Sequence, residues 1–190
     1  MKLIIVRHGE TEENKNGILQ GHMPGTLSRE GIEQGKKLAK RLKDEKFDVI
    51  FSSDLKRATD TTKLIAKYHP KIKVEYTKEL REGNAGEWTG GPSHGLDWEN
   101  RPADAESHDQ MMSRAKKFLD ILCENYADKA VLLVGHAGFN RVLIAQITGS
   151  SNPFMDIPDQ HNTAVNIFEI FEDKTHKIHC LNCTKHLNEK

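Results

Sequence analysis

The chain has 190 residues, a length typical of one domain with a substantial buried core. Lys plus Arg and Asp plus Glu each number 28, so no overall positive field favours nucleic acid or an anionic membrane as a partner. Three cysteines do not make the framework of a disulfide-rich protein.

Targeting signals are not apparent in the sequence. No stretch approaches the roughly 18 apolar residues of a membrane-spanning helix. The first residues enter an apolar run directly, without the charged and apolar regions of a signal peptide. We therefore expect a cytoplasmic protein without a membrane partner.

Short apolar runs alternate with longer amphipathic segments, the pattern of a doubly wound α/β sheet. Predicted strands lie at 3–6, 49–51, 130–134, 164–171 and 178–181. Predicted helices begin at the N-caps Ser28 and Ser107 and near residues 55 and 139, and the last ends at Gly149. The glycine-rich segment at about 83–109 is interpreted as a functional or mobile loop within the same domain.

The most informative motif is Arg7-His8-Gly9, directly after the first predicted strand. It places an imidazole at the carboxyl edge of the sheet, where open α/β sheets bind ligands. Arg7 offers a planar set of donors suited to phosphate or carboxylate. The motif predicts a nucleophile or proton carrier beside an oxyanion, although a structural histidine explains it equally well.

Three further segments favour the catalytic interpretation. Arg57 comes shortly after the strand at 49–51, and His136 comes directly after the strand at 130–134. Glu82 opens the glycine-rich loop. Three predicted strand ends and one loop therefore supply two histidines, two arginines and a carboxylate to one site.

In these segments the sequence resembles the histidine phosphatase superfamily, the phosphoglycerate-mutase-like proteins. The resemblance implies one domain over residues 1–190 with three layers, α/β/α, around a mostly parallel central sheet. The matching segments follow the family's order from residue 1 to about 149, with a weaker match at Leu181-Asn182 and His186-Leu187. They are Arg7 to Thr11 with Asn14, Gln20-Gly21, Leu27-Ser28 with Gly31, Ser53 to Ala58, Leu80 with Glu82, and Val134 to His136 with Gly138.

The resemblance implies transfer of the phosphoryl group of a small-molecule phosphomonoester to His8 and then to water. Arg7 and Arg57 are expected to clamp the phosphoryl group. A protonated His136 is expected to add a donor and stabilise developing charge. Glu82 is the expected general acid, which then acts as the base for the attacking water.

Two further residues are candidates for substrate binding. Asn14 and Gln20 match the family's pattern, but a hydrogen bond that stabilises the loop is almost as good an explanation for each. Arg7, Arg57 and His136 are also counted as substrate-binding. This chemistry requires no cofactor and no metal.

The family also contains mutases, so bisphosphate-dependent phosphoglycerate mutase is one alternative, and a pseudoenzyme that binds a phosphorylated ligand is another. The segment 83–113 has a single arginine, Arg101, and is net negative, which disfavours a doubly phosphorylated intermediate and favours hydrolysis. Its acidic residues are Glu87, Asp97, Glu99, Asp104, Glu106 and Asp109.

A zinc site near the C-terminus is an alternative of a different class, because Cys-x-x-Cys with nearby histidines is a common ligand spacing. Against it, residues that alternate along a strand face opposite sides of the sheet. We therefore predict no metal site and leave the oligomeric state open. The cluster consists of His176, His179, Cys180, Cys183 and His186.

Overall fold

The computed structural model describes residues 1–188. Its six strands are β1 (Lys2–Arg7), β2 (Val49–Ser53), β3 (Lys73–Thr77), β4 (Ala130–Gly135), β5 (Val165–Ile170) and β6 (His176–Cys183). They form one sheet in the order β3-β2-β4-β1-β5-β6. Strands β1 to β4 run parallel, whereas β5 pairs antiparallel with both β1 and β6.

Six helices accompany the sheet: α1 (Glu12–Lys15), α2 (Arg29–Leu42), α3 (Lys56–Ala66), α4 (His108–Asn125), α5 (Ala137–Thr148) and α6 (Pro153–Asp156). Helices α2 and α3 share one apolar core with the sheet, and α4 and α5 share the other. The expected three-layer α/β fold with a mostly parallel sheet is confirmed. None of the helices within residues 1–188 has both the length and the apolar character needed to cross a membrane.

Strand β1 shows why the first apolar run is continuous rather than alternating. Leu3 and Ile5 point into the core beneath α4 and α5, whereas Ile4 and Val6 point into the core beneath α2 and α3. All four side chains are buried. A parallel strand covered on both faces needs apolar residues at every position.

Three of the predicted helix boundaries rest on local capping, and the structure confirms these three. The Ser28 Oγ accepts the Gly31 N–H at 2.9 Å, and the Ser107 Oγ accepts the Gln110 N–H at 3.1 Å. Gly149 ends α5 with a left-handed φ of 76°. Each cap needs only residues close in sequence, so the sequence alone reveals it.

Strand β3 was not predicted, and neither was the short helix α6. Strand β3 lies at an edge of the sheet, and its residues are half-buried or exposed. Its mixed polar and apolar residues therefore lack the apolar pattern of a buried strand. The loop at 83–109 contains two short 3-10 turns, Gly86–Trp88 and Trp98–Asn100. Two backbone hydrogen bonds join it to Leu19: the Gly90 N–H donates to the Leu19 carbonyl, and the Leu19 N–H donates to the Gly91 carbonyl.

The first turn of α2 packs directly on the chain that leaves β1. A Cβ atom added at Gly31 would lie 1.9 Å from the Glu10 carbonyl oxygen. One added at Gly9 would lie 2.4 Å from the Gly31 carbonyl oxygen. Both neighbours are backbone atoms, so the backbones can approach this closely only because these residues are glycines.

We predict that Gly31→Ala lowers the free energy of unfolding by about 1–3 kcal/mol, because α2 must move away from Glu10. Chemical denaturation measures this loss. The matched control is Gly35→Ala in the same helix, where the nearest atom is the flexible end of Leu64 at 2.6 Å. Alanine is the better helix former by about 1 kcal/mol, which offsets the smaller clash in the control. Equal destabilisation by the two variants would contradict this packing argument.

Candidate active site

Three neighbouring parallel strands end at one edge of the sheet and bring polar side chains together there. His8 follows β1, Ser53 ends β2, and His136 follows β4. Because β2, β4 and β1 are adjacent, these residues meet although they are far apart in sequence. The ring centroids of His8 and His136 lie 5.1 Å apart.

His8 is buried, with 2% of its surface exposed. Its Nδ1 lies 2.7 Å from the Gly9 carbonyl oxygen. A carbonyl only accepts, so Nδ1 carries the hydrogen and Nε2 holds the free lone pair. Burial, and then the charges of Arg57 and Arg7, lower the pKa of His8 well below its ordinary value. His8 is therefore a neutral imidazole near pH 7.

His136 is fully buried and contacts two members of the site. Its Nδ1 accepts a hydrogen bond from the Arg57 Nε at 3.2 Å, so its proton lies on Nε2, which donates to the Ser53 Oγ at 2.8 Å. Burial and the charge of Arg57 lower the pKa of His136 well below its ordinary value. The protonated form expected from the sequence would require the opposing charge of a bound dianion.

Arg57 is held in one orientation by the loop before α2. Its Nη2 donates to the Gly21 carbonyl at 2.9 Å, and its Nη1 donates to the Met23 carbonyl. A Cβ added at Gly25 would lie 2.9 Å from the Arg57 Cδ, so the loop closes tightly around the side chain. Burial lowers the pKa of Arg57 to about 10, against the opposing effect of Glu82. The guanidinium still carries its charge at neutral pH.

Arg7 supplies the second guanidinium. Its Nη1 donates to the Gln160 carbonyl at 2.7 Å, while its Nε is buried without a protein partner. Burial lowers the pKa of Arg7, and the charges of Glu82 and Asp159 raise it. In the described part of the chain neither Arg7 nor Arg57 forms a salt bridge. Two oriented cations without a carboxylate in direct contact make a site suited to an anion.

Glu82 faces the first turn of α5. Its carboxylate accepts hydrogen bonds from the backbone N–H groups of Gly83 at 3.0 Å, Gly138 at 3.0 Å and Phe139 at 2.9 Å. The N-terminus of a helix stabilises negative charge in this way. Its charge also raises the pKa of Arg7 and of Arg57.

The two second-rank candidates lie at the edge of this group. Asn14 completes a capping box with Thr11, so it forms the loop-stabilising hydrogen bond that was the alternative to substrate binding. The Asn14 Oδ1 also lies 3.4 Å from the Asn162 Nδ2. Gln20 is buried, with an Oε1 that has no protein partner. Substrate contact by Asn14 and by Gln20 stays a prediction.

Three residues at the site were missed from the sequence. The His22 Nε2 lies 2.9 Å from the Glu82 carbonyl oxygen. The Asn162 Nδ2 donates to the His8 carbonyl at 3.2 Å, and the Gln160 carbonyl accepts from Arg7. Asn162 and Gln160 precede β5, which runs antiparallel, so its beginning lies at the edge where the parallel strands end. A prediction that β5 runs antiparallel would have placed Gln160 and Asn162 at this edge.

Two of the C-terminal residues considered for zinc contact groups outside the cluster. The His179 Nε2 lies 3.2 Å from a Glu169 carboxylate oxygen, and the Cys180 thiol donates to the Val165 carbonyl at 3.1 Å. Among residues 1–188, no group of three or more His, Cys, Asp and Glu side chains is arranged to hold a metal ion. The zinc alternative gains no support from this arrangement.

Comparison with known proteins matches this chain to one family model and to several phosphatases. The family model described as "Histidine phosphatase superfamily (branch 1)" matches residues 3–184. The adenosylcobalamin/alpha-ribazole phosphatase of Escherichia coli is 31% identical over 163 residues, which are 78% of this chain and 80% of that protein. The metal-independent phosphoserine phosphatase of Arabidopsis thaliana is 29% identical, over 91% of this chain and 78% of that protein. A structure of a phosphoserine phosphatase mutant from Entamoeba histolytica in complex with phosphoserine superposes with a TM-score of 0.85 at 28% identity, covering 98% of each chain.

The two buried histidines predict how stability depends on pH. Both stay neutral in the folded protein, whereas in the unfolded chain they take up protons below a pH of about 6.5. The unfolded state then binds more protons, so the free energy of unfolding falls as the pH falls below about 6.5. The slope from each histidine reaches about 1.4 kcal/mol per pH unit. Denaturation at pH 5.0–7.5 should show a shallower slope for His8→Asn and for His136→Asn than for the wild type.

The control for this experiment is His94→Asn, because His94 is exposed. Its stability should follow the wild-type pH dependence. Stability curves that run parallel for all four proteins between pH 5.0 and 6.5 would show that the buried histidines do not resist protonation.

Proposed function

We propose that this chain hydrolyses a small-molecule phosphomonoester through a covalent phosphohistidine on His8. The chain belongs to the histidine phosphatase superfamily and is a phosphoric monoester hydrolase. One observation carries this mechanism. The neutral imidazole of His8, with its lone pair on Nε2, lies beside the buried guanidinium of Arg57 and the half-buried one of Arg7, which form no salt bridge in the described chain.

In the first step the His8 Nε2 attacks phosphorus, and the bond from phosphorus to the leaving oxygen breaks. The Gly9 carbonyl accepts from Nδ1 at 2.7 Å and so disperses the positive charge that develops on the ring. Arg7 and Arg57 hold the phosphoryl oxygens, and His136 adds a donor once the charge of the bound dianion favours its protonated form. Their fixed orientation stabilises the transition state without a cost of reorganisation.

Glu82 moves the protons in both steps. As the general acid, it gives a proton to the leaving oxygen. The amides of Gly83, Gly138 and Phe139 then stabilise the carboxylate that remains. In the second step this carboxylate takes a proton from water as the water attacks phosphorus, and the bond to His8 breaks. The products are inorganic phosphate, the alcohol and the original enzyme.

Two features favour hydrolysis over the alternatives. The loop at 83–109 is acid-rich and largely exposed, so it offers little positive charge to retain a doubly phosphorylated intermediate, as a bisphosphate-dependent mutase must. The chain has every residue that the proposed mechanism needs, whereas a pseudoenzyme that only binds a phosphorylated ligand would not need the nucleophile or the general acid. Relatives named for phosphoserine and alpha-ribazole phosphatase activity make small metabolite monoesters the substrate class to test first.

We predict that His8→Ala abolishes hydrolysis of p-nitrophenyl phosphate, because no other group replaces the nucleophile. In the wild type, brief incubation with labelled substrate followed by denaturation should trap an acid-labile, base-stable phosphoprotein, which His8→Ala should lack. His179→Ala, a change on the exposed face of β6, is the matched control and should keep full activity. Turnover by His8→Ala, or label retained on it, would contradict the assignment.

We further predict that Glu82→Gln lowers kcat by about 100- to 10,000-fold for an alkyl phosphate, because the amide cannot protonate the leaving oxygen. The loss should be much smaller for p-nitrophenyl phosphate, whose leaving group needs little protonation. Steady-state kinetics on both substrates measure the difference. Glu87→Gln, in the exposed loop, serves as control and should act like the wild type. Equal losses on the two substrates would exclude Glu82 as the acid.

A further inference from the structure

The segment 159–163, which precedes β5, contacts both Arg7 and His8. Within residues 1–188, the Arg7 side chain forms one hydrogen bond, from its Nη1 to the Gln160 carbonyl at 2.7 Å. The His8 carbonyl accepts from the Thr163 N–H at 3.3 Å and from the Asn162 Nδ2 at 3.2 Å. A shift of this segment would therefore move both the guanidinium and the backbone of the nucleophile.

One side chain from β6 holds the two peptide groups that flank Gln160. The Asn182 Nδ2 donates to the Asp159 carbonyl at 2.7 Å, and its Oδ1 accepts the His161 N–H at 3.0 Å. The amide of Asn182 thus spans Gln160 and sets the position of the carbonyl that binds Arg7.

A buried amide adds a second connection between the same residues. The backbone N–H of Asn182 donates to the Asn166 Oδ1 at 2.7 Å, and the Asn166 Nδ2 donates to the Gln160 Oε1 at 2.7 Å. Asn166 is fully buried and Gln160 nearly so. Hydrogen bonds between buried amides are costly to break, which makes the connection rigid.

The backbone of β6 is shaped to present Asn182 to this segment. Val165 pairs with Cys183 and Ile167 with Cys180, so a bulge lies between these pairs. Asn182 lies in the bulge with a φ of 48°, a left-handed conformation that asparagine tolerates better than most residues. Bulges commonly redirect a side chain near a functional site.

The other end of the segment shows strain. Thr163 is fully buried and has a φ of 57°, which is rare for a β-branched residue. Its Oγ lies 3.3 Å from the His186 Nε2. Strained conformations persist where the surroundings enforce them, and they concentrate at functional sites.

We infer that Asn182 is a positioning residue for catalysis. It holds the segment 159–163 so that Gln160 orients Arg7, and His186 supports the far end of the segment at Thr163. The inference rests on the proposed function. Asn182 acts through Arg7 and does not itself contact substrate. The inference also gives a role to Asn182 and His186, which the catalytic mechanism leaves unused.

The test compares two glycine substitutions in the same β5–β6 hairpin. Asn182→Gly keeps the left-handed backbone and removes both side-chain hydrogen bonds. Lys174→Gly is the matched control, because Lys174 has a φ of 64° and its side chain forms an exposed ion pair with Asp120. We expect Asn182→Gly to lower kcat/KM for p-nitrophenyl phosphate by about 10- to 100-fold. The inhibition constant of orthovanadate should rise by a similar factor, and Lys174→Gly should leave both unchanged.

A double-mutant cycle separates positioning from general destabilisation. In an Arg7→Ala background, Asn182→Gly should cost less than about threefold, because no guanidinium remains to be misplaced. All assays are run where denaturation curves show each variant fully folded. If Asn182→Gly does not fold, Asn182→Asp is used, which keeps the acceptor for His161 but places a carboxylate oxygen against the Asp159 carbonyl.

Two results would overturn the inference: wild-type kinetics in a folded Asn182 variant, or an undiminished loss in the Arg7→Ala background. Failure of the proposed function is distinguishable, because it would show in the wild type as absence of turnover and of vanadate inhibition.

Discussion

The buried guanidinium of Arg57 is the group on which the arrangement of the site depends. Backbone carbonyls of Gly21 and Met23 orient it, and its Nε holds the Nδ1 of His136, which fixes the tautomer and the contact with Ser53. Taking a charge out of water costs several kcal/mol unless other groups compensate. Here the compensation comes from dipoles rather than from a contacting carboxylate, so in the proposed function a phosphate dianion would meet a cation that is already oriented.

The same charge explains the state of the histidines. Arg57 lies close enough to lower the pKa of both His8 and His136, in addition to the effect of burial. A nucleophilic imidazole must be unprotonated, and a cation beside it maintains that form near neutral pH. In the proposed mechanism, one electrostatic arrangement would therefore serve both phosphate binding and activation of the nucleophile.

Much of this could be predicted from the sequence because the evidence is local. An apolar run followed by a histidine indicates a strand end, and parallel strands bring their carboxyl ends to one edge. Ser28 and Ser107 mark helix starts through contacts with residues three positions away. Strand β3 was missed because its exposed edge position requires no apolar pattern. The segment at 159–163 was missed because its location follows from the antiparallel direction of β5, which no local pattern encodes.

The sequence by itself determined the chemical types at the site, the order of the strands and helices that carry them, and the family to which the chain belongs. Only the tertiary structure decided the protonation states, the tautomers and the partners of each group. Arg7 and the Gln160 carbonyl are 153 positions apart, and Glu82 meets the amides of α5 more than 50 positions away. Hydrogen bonds and desolvation depend on distances in space, and these exist only once the chain has folded.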